Sequence, residues 1–109
     1  MDLLKFVFNQ IYYKEENITM EKQFEEYLIN NGYKQTTPSG NPSTVYNYIK
    51  RIDNICEWEN ITWEQLANNI QIILPQYDIE GIKEDLGKKS HSSVINALRR
   101  FSEFVIHNL

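Results

Sequence analysis

The segment from Lys88 to Phe104, KKSHSSVINALRRFSEF, has the apolar spacing that decides the fold class. With a helix cap at Ser90 and a rotation of about 100° per residue, its apolar side chains gather on one broad face. That face holds Val94, Ala97, Leu98, Phe101, Phe104 and Val105. A face of this width has to pack against other elements, so the segment predicts an amphipathic helix of a helical bundle.

The opposite face of this predicted helix is polar and carries cations. It holds Ser92, Ser93, Asn96, Arg99, Arg100, Glu103 and His107. Between Leu86 and Ser102 the sequence has four lysines and arginines and no acid, although the formal net charge of the chain is -4. Such a face suits contact with a phosphate backbone, and it equally suits an ordinary solvated surface.

The other segments also predict helices, and no alternating pattern predicts a strand. Residues 2–13 predict a broadly apolar helix that packs on the body of the protein or on a partner. Thr19 predicts the cap of the next helix, which ends at Asn31-Gly32. Asn41-Pro42 predicts the start of a third, because a cap residue precedes a proline. The inner face of this third helix holds Val45, Tyr48, Ile49, Ile52, Ile55 and Cys56.

A fourth predicted helix begins after Thr62, where Gln65 completes a capping-box pattern, and it stops near Pro75. Residues 77–87 predict a short irregular or single-turn connection. The sequence therefore predicts an all-α, compact bundle of four to five helices. Residues 1–14 form an N-terminal helix in this interpretation, and residues 15–109 form a single helical domain.

Composition limits the classes of function. A chain of 109 residues can close one core, and its net negative charge disfavours long-range attraction to nucleic acid or to an anionic membrane. Residues 57–85 carry seven acids against one base, Lys83, and predict a rival binding surface for a basic protein. These acids are Glu57, Glu59, Glu64, Asp78, Glu80, Glu84 and Asp85.

No pattern of catalytic or ligating residues stands out, so we expect neither an enzyme nor a metal or cofactor site. His91 and His107 have no other ligand at a zinc spacing. Adjacent carboxylates such as Glu84 and Asp85 point apart on a helix, which favours solvated faces over acid–base catalysis. No apolar run approaches the ~20 residues that span a bilayer, and no signal-peptide pattern begins the chain. We therefore expect a cytoplasmic protein.

Two parts of the sequence resemble each other. Residues 43–52, STVYNYIKRI, share four identities with residues 92–101, SSVINALRRF, and each is preceded by a similar Glu-Asn-Ile-Thr segment. The similarity predicts two pseudo-repeated helical hairpins whose polar faces lie side by side. Amphipathic helices with Ser or Thr caps also share such spacing without duplication, and both interpretations stay open.

From Phe24 to Val105 the chain resembles the SAM-like core-binding domain on the N-terminal side of phage integrases and other tyrosine recombinases. The motifs are F-x-x-Y-L from Phe24, P-S-T-V-x-x-Y-I-x-R-I from Pro42, T-W-E-x-L from Thr62 and S-S-V-I-N-x-L-R-R-F from Ser92. The catalytic domain of that family does not occur in this sequence, so the resemblance implies DNA binding without strand exchange.

In that family, two helices of the bundle clamp one face of DNA, and they correspond here to the helices predicted to begin at Pro42 and Ser90. The resemblance therefore implies a set of candidate DNA-facing residues. They are Ser43, Thr44, Asn47, Lys50, Arg51, Lys88, Lys89, Ser92, Asn96, Arg99 and Arg100.

Two hypotheses of function follow, both of them for a protein of the bacterial host cytoplasm. The leading one is a non-catalytic DNA-binding module of phage or mobile-element type. The alternative is an acidic, phage-encoded inhibitor of the anti-CRISPR type, whose seven acids in residues 57–85 bind a bacterial defence nuclease or another nucleic-acid-processing protein. A homodimer through the N-terminal helix is a third arrangement that the sequence permits.

Overall fold

The computed structural model describes residues 18–36, 38–40 and 44–108, and within these ranges it contains six α-helices and no β-strand. The helices are α1 Met20–Asn30, α2 Thr44–Glu59, α3 Trp63–Asn68, α4 Ile70–Tyr77, α5 Glu84–Gly87 and α6 Ser93–Asn108. The prediction of an all-α bundle is confirmed. The predicted helix at residues 2–13 and the predicted start at Asn41-Pro42 lie outside the described residues.

Local hydrogen bonds explain where α1 begins and ends. The Thr19 hydroxyl accepts from the backbone N–H of Lys22 at 3.1 Å, as predicted for a cap. At the other end, the N–H groups of Gly32 and Tyr33 donate to carbonyls of the last turn, and Gly32 has a φ of +91°. This is a Schellman ending, in which glycine supplies the left-handed residue at low steric cost.

The predicted capping box at Thr62 is confirmed, because its hydroxyl accepts from the N–H of Gln65 and the Gln65 side chain accepts from the N–H of Thr62. The single helix predicted there is instead two helices. The chain breaks at Asn69, whose side-chain amide donates to the carbonyl of Gln65 at 2.8 Å and so competes with the helix backbone. The second helix, α4, continues past Pro75 and ends at Tyr77, which is fully buried.

The predicted cap at Ser90 is wrong, because α6 begins three residues later, at Ser93. Ser90, His91 and Ser92 have φ values of +55°, +56° and +66°, so three successive residues are left-handed. Each such residue costs roughly 1 kcal/mol. The turn is held by the N–H of Ser92, which donates to the Lys88 carbonyl, and by the burial of Val94 just after it. Tertiary packing therefore overrides the local capping preference of serine.

The core lies where α1 and α3 pack across the pair formed by α2 and α6. Phe24 of α1 is completely buried, with ring centroids 5.3 Å from Phe101, 5.6 Å from Phe104 and 6.1 Å from Trp63. The inner faces predicted for α2 and α6 both point into this core, except that Tyr48, Ile49 and Val105 are only half-buried. Across the described ranges, no helix combines the length and the apolar character that crossing a membrane requires.

The two similar halves of the sequence take up related positions. Thr19 and Thr62 each cap a helix, and α2 and α6, which follow them, are both 16 residues long. The second half differs by the break at Asn69. Both explanations of the sequence similarity, an internal duplication and the shared spacing of capped amphipathic helices, fit this arrangement.

Candidate functional site

The helices α2 and α6 lie side by side and run antiparallel, which brings their predicted polar faces next to each other. The Lys89 ammonium, just before α6, lies 5.7 Å from the ring centroid of Trp58 near the end of α2. Toward the other end of the pair, Arg100 donates to the Tyr33 hydroxyl at 3.3 Å, and the rings of Tyr33 and Tyr48 are 5.8 Å apart.

Arg51 lies between these two ends. It follows Tyr48 by three residues and precedes Trp58 by seven, so helical periodicity places all three on one edge of α2. Arg51 is half-buried and forms no ion pair with any described residue. We call the surface formed by Tyr33, Tyr48, Arg51, Trp58, Lys89 and Arg100 the α2–α6 seam.

The two arginines of the seam are half-buried, and their hydrogen-bonding capacity is only partly used. The Nε atoms of Arg51 and Arg100 are buried and have no hydrogen-bond partner among the described residues. Arg100 also pairs with Glu103 at 2.8 Å within its own helix. The hydrogen bond with Tyr33 and the nearby charge of Glu103 raise the pKa of Arg100 above its ordinary value, so the guanidinium stays charged.

Arg99 lies on the other flank of α6, away from the seam. Its guanidinium donates to Asp78 at 2.6 Å and to the side chain of Asn96 at 3.4 Å. The bond from Arg99, together with the backbone N–H of Ile79, lowers the pKa of Asp78. The charge of Arg99 is therefore largely compensated.

Lys88 and Ser92 belong to the same flank as Arg99. The Lys88 ammonium lies 3.5 Å from the carboxylate of Glu84, one turn earlier in the chain. Lys88, Ser92, Asn96 and Arg99 all line one cavity of about 180 Å³, together with residues of the 77–84 connection. The structure therefore separates this group of predicted DNA-facing residues from the seam.

Lys50 points away from both surfaces, into a cleft between α1 and α2. Three carboxylates, those of Glu21, Glu25 and Asp53, line this cleft with it, and its ammonium lies 5.7 Å from the ring centroid of Tyr46. Burial and the charges of the other two carboxylates raise the pKa of Glu21. The surroundings of Lys50 are therefore acidic.

Of the predicted DNA-facing set, the structure brings Arg51, Lys89 and Arg100 together on the seam. Thr44 and Asn47 of α2 lie close to the same edge by helical periodicity, Thr44 half-buried and Asn47 exposed. Ser43 lies outside the described residues.

The predicted acidic surface is also divided. Glu59 accepts from the Tyr77 hydroxyl at 2.7 Å and pairs with Lys83, while Asp78 and Glu84 pair with Arg99 and Lys88. Burial opposes ionisation of Glu59, but the bonds from Lys83 and Tyr77 outweigh it and lower its pKa. The four other predicted acids are exposed and make no ion pair with a described residue. They are Glu57, Glu64, Glu80 and Asp85.

Sequence reasoning missed two features of these surfaces. One is the set of aromatic rings on the seam, where Tyr48 and Trp58 stand beside the cations. The other is a pair of exposed isoleucines, Ile79 and Ile82. The second could have been found in the sequence, because Asp-Ile-Glu-Gly-Ile-Lys-Glu-Asp places two isoleucines in a short polar segment without an amphipathic pattern.

Comparisons with models of protein families, with curated proteins and with solved structures find no match to this chain. The resemblance to recombinase core-binding domains therefore stays a prediction from the sequence motifs.

Proposed function

We propose that this chain is a non-catalytic DNA-binding module of phage or mobile-element type, and that the α2–α6 seam contacts the phosphate backbone in the bacterial cytoplasm. The observation that supports it best is the side-by-side packing of α2 and α6, with Arg51, Lys89 and Arg100 along one junction. The motif resemblance to core-binding domains supports the same pair of helices.

The spacing of the seam cations suits a nucleic-acid strand. Trp58, whose ring lies beside the Lys89 ammonium, follows Arg51 by seven positions of helix, and at 1.5 Å per residue the two positions are about 10 Å apart along the axis. Successive phosphates of one strand rise about 3.4 Å along the duplex axis, so two cations at this separation reach phosphates about three steps apart. The ring of Trp58 limits the freedom of Lys89, which lowers the entropy lost on binding.

The number of available cations sets the expected strength of binding. Arg99 and Lys88 already face Asp78 and Glu84, and the net charge of -4 opposes long-range attraction. Binding then depends on roughly two to three local phosphate contacts. The logarithm of the association constant should fall with the logarithm of salt concentration with a slope of about -2 to -3.

Fluorescence anisotropy of a labelled duplex, titrated with the full chain over a series of salt concentrations, tests the proposal. Arg51→Ala with Lys89→Ala should flatten the slope by about 2, since each contributes one phosphate contact. Arg51→Lys with Lys89→Arg keeps both charges and should keep the slope. The matched control is Lys22→Ala with Lys50→Ala, which removes the same charge from the acidic cleft between α1 and α2.

The control should leave the slope unchanged. Absence of binding at low salt would overturn the proposal. So would an equal loss in the control pair, because the effect would then follow from net charge and not from the seam.

A further inference from the structure

The connection between α4 and α5, residues 78–83, exposes two isoleucines, and we call this connection together with the first two residues of α5 the 78–85 loop. Ile79 is 73% exposed and Ile82 is 87% exposed, more than any other large apolar side chain in the described ranges. A single exposed apolar side chain is ordinary on a protein surface. Two of them in one short loop bury little apolar surface in the folded chain, so their exposure is available to a partner.

The backbone of this loop is firmly packed. The N–H of Gly81 donates to the carbonyl of Asp78 at 2.9 Å, and the N–H of Lys83 donates to the carbonyl of Gln76 at 2.7 Å. A Cβ atom on Gly81 would lie 2.2 Å from the carbonyl oxygen of Pro75, so the loop lies directly against the end of α4. Only glycine allows this approach.

Side chains hold both ends of the loop. At its start, Asp78 is bonded by Arg99 of α6. Toward its end, the Lys83 ammonium and the Tyr77 hydroxyl both donate to the carboxylate of Glu59, at the end of α2. Contacts with α2, α4 and α6 thus position a segment that exposes two isoleucines. A loop that is ordered before binding loses little conformational entropy when a partner arrives.

The charge around the isoleucines is negative. Asp78 and Glu84 are paired with Arg99 and Lys88. Glu80 and Asp85 are exposed and have no ion pair in the described part of the chain. The loop therefore presents two apolar side chains together with two uncompensated carboxylates.

We propose that residues 78–85 are a docking loop for a partner protein that offers an apolar pocket rimmed by lysine or arginine. Ile79 and Ile82 enter the pocket and supply the affinity, while Glu80 and Asp85 pair with the basic rim and speed association. The loop lies on the Arg99 flank of α6 and the seam lies on the Arg100 flank, so this proposal stands apart from DNA binding.

Selection of random peptides displayed on phage, with the full chain as bait, tests the proposal. The library is first depleted on the variant Ile79→Ser with Ile82→Ser, and the selected peptides are synthesised and titrated. We expect apolar residues next to lysine or arginine, and affinities at least about tenfold weaker for that variant. Glu80→Gln with Asp85→Asn should mainly slow association at low salt.

Ile106→Ser is the control, because Ile106 is 66% exposed near the end of α6 and outside the loop. It should leave peptide affinity unchanged. Urea unfolding should show that the serine variants keep their stability, since both isoleucines are exposed. Duplex binding should also be unaffected by them.

Peptides that bind the serine variant as tightly as the parent, or that carry no basic residue, would overturn the proposal. Self-association of the full chain in sedimentation, abolished by the same serine variant, would overturn it too. In that case the isoleucines would join copies of this chain.

Discussion

Arg99 and Arg100 are neighbours in the sequence but belong to two different regions of the molecule. Arg99 reaches Asp78, a residue 21 positions away, and helps to hold the 78–85 loop. Arg100 pairs with Glu103 in its own helix and touches Tyr33 on the seam. An ion pair between distant segments fixes a loop, whereas a pair within one helical turn leaves a surface that can still meet a ligand. The charge of Arg99 is thus used within the fold to hold the loop, whereas Arg100 is bonded only within α6 and to Tyr33.

The largest expected loss of stability in the loop region comes from a substitution at Gly81. A methyl group there meets the backbone oxygens of Pro75 and Gln76 at 2.2 and 2.3 Å, and backbone cannot move aside cheaply. We expect Gly81→Ala to lower the free energy of unfolding by about 3 kcal/mol, measured by urea denaturation. Gly32→Ala is the control, since nothing lies within 4 Å of the added methyl and only its positive φ is unfavourable. It should cost about 1 kcal/mol. Equal losses would show that the loop is not tightly packed on α4.

The next largest difference concerns two tyrosine hydroxyls. Tyr77 is buried and donates to Glu59 at 2.7 Å, while Tyr33 accepts from Arg100 at 3.3 Å on the seam. We expect Tyr77→Phe to cost about 1–2 kcal/mol of unfolding free energy, because its bond to a charged group is short and Tyr77 is buried. Tyr33→Phe should cost about 0.5 kcal/mol or less. The same denaturation experiment compares them, and a larger loss at Tyr33 would reverse our assignment of the two regions.

Acid should lower the stability of the protein partly through the two carboxylates that hold the loop, Glu59 and Asp78. The pKa values of Glu59 and Asp78 are lowered in the folded protein. The stability that each contributes is therefore fully present above its unfolded pKa, about 4.3 for Glu and about 3.9 for Asp. It is lost as the pH falls through the lower folded value. Unfolding free energy measured from neutral pH down to acid should fall in this window.

The variant Glu59→Gln with Asp78→Asn isolates the two carboxylates. Its unfolding free energy should be lower at neutral pH and should depend less on pH below about 4.5. Glu57→Gln with Glu64→Gln changes the same number of exposed carboxylates without breaking an ion pair in the described residues. An acid profile identical in both double variants would argue against a stabilising role for the loop pairs.

The smallest effect compares the adjacent arginines directly. Both pairs are partly exposed, so Arg99→Gln and Arg100→Gln should each change global stability by about 0.5 kcal/mol. Local opening should differ, because only Arg99 joins the loop to α6. Hydrogen exchange of the amides in residues 78–85 should quicken about two- to threefold in Arg99→Gln and stay unchanged in Arg100→Gln. Equal exchange in the two variants would mean that Asp78 does not depend on Arg99.

Features governed by neighbouring residues could be predicted from the sequence. The caps at Thr19 and Thr62 and the ending at Gly32 depend on hydrogen bonds within a few residues, and all three are confirmed. The break at Asn69 was not predicted, although the bond from its side chain to the Gln65 carbonyl is local, because an asparagine in a helical pattern does not by itself show that this bond forms. The left-handed turn at Ser90 could not be predicted, because it depends on how Val94 packs in the core. For the candidate site, the sequence predicted which residues are cationic, but not that Arg51, Lys89 and Arg100 share one surface while Lys50, Lys88 and Arg99 face carboxylates.

The spacing of apolar residues determined by itself that this chain is helical, and which side of α2 and of α6 turns inward, because burial of such a stripe is favourable in any bundle. Tertiary structure alone decided how the charges are divided. A charged side chain reaches several ångströms beyond its helix, so its partner depends on which segment packs alongside. For this reason four cations that look alike in the sequence have different surroundings. Lys50 lies in an acidic cleft and Arg51 lies on the seam without an ion pair among the described residues. Arg99 pairs with the loop, and Arg100 pairs with Glu103 of its own helix.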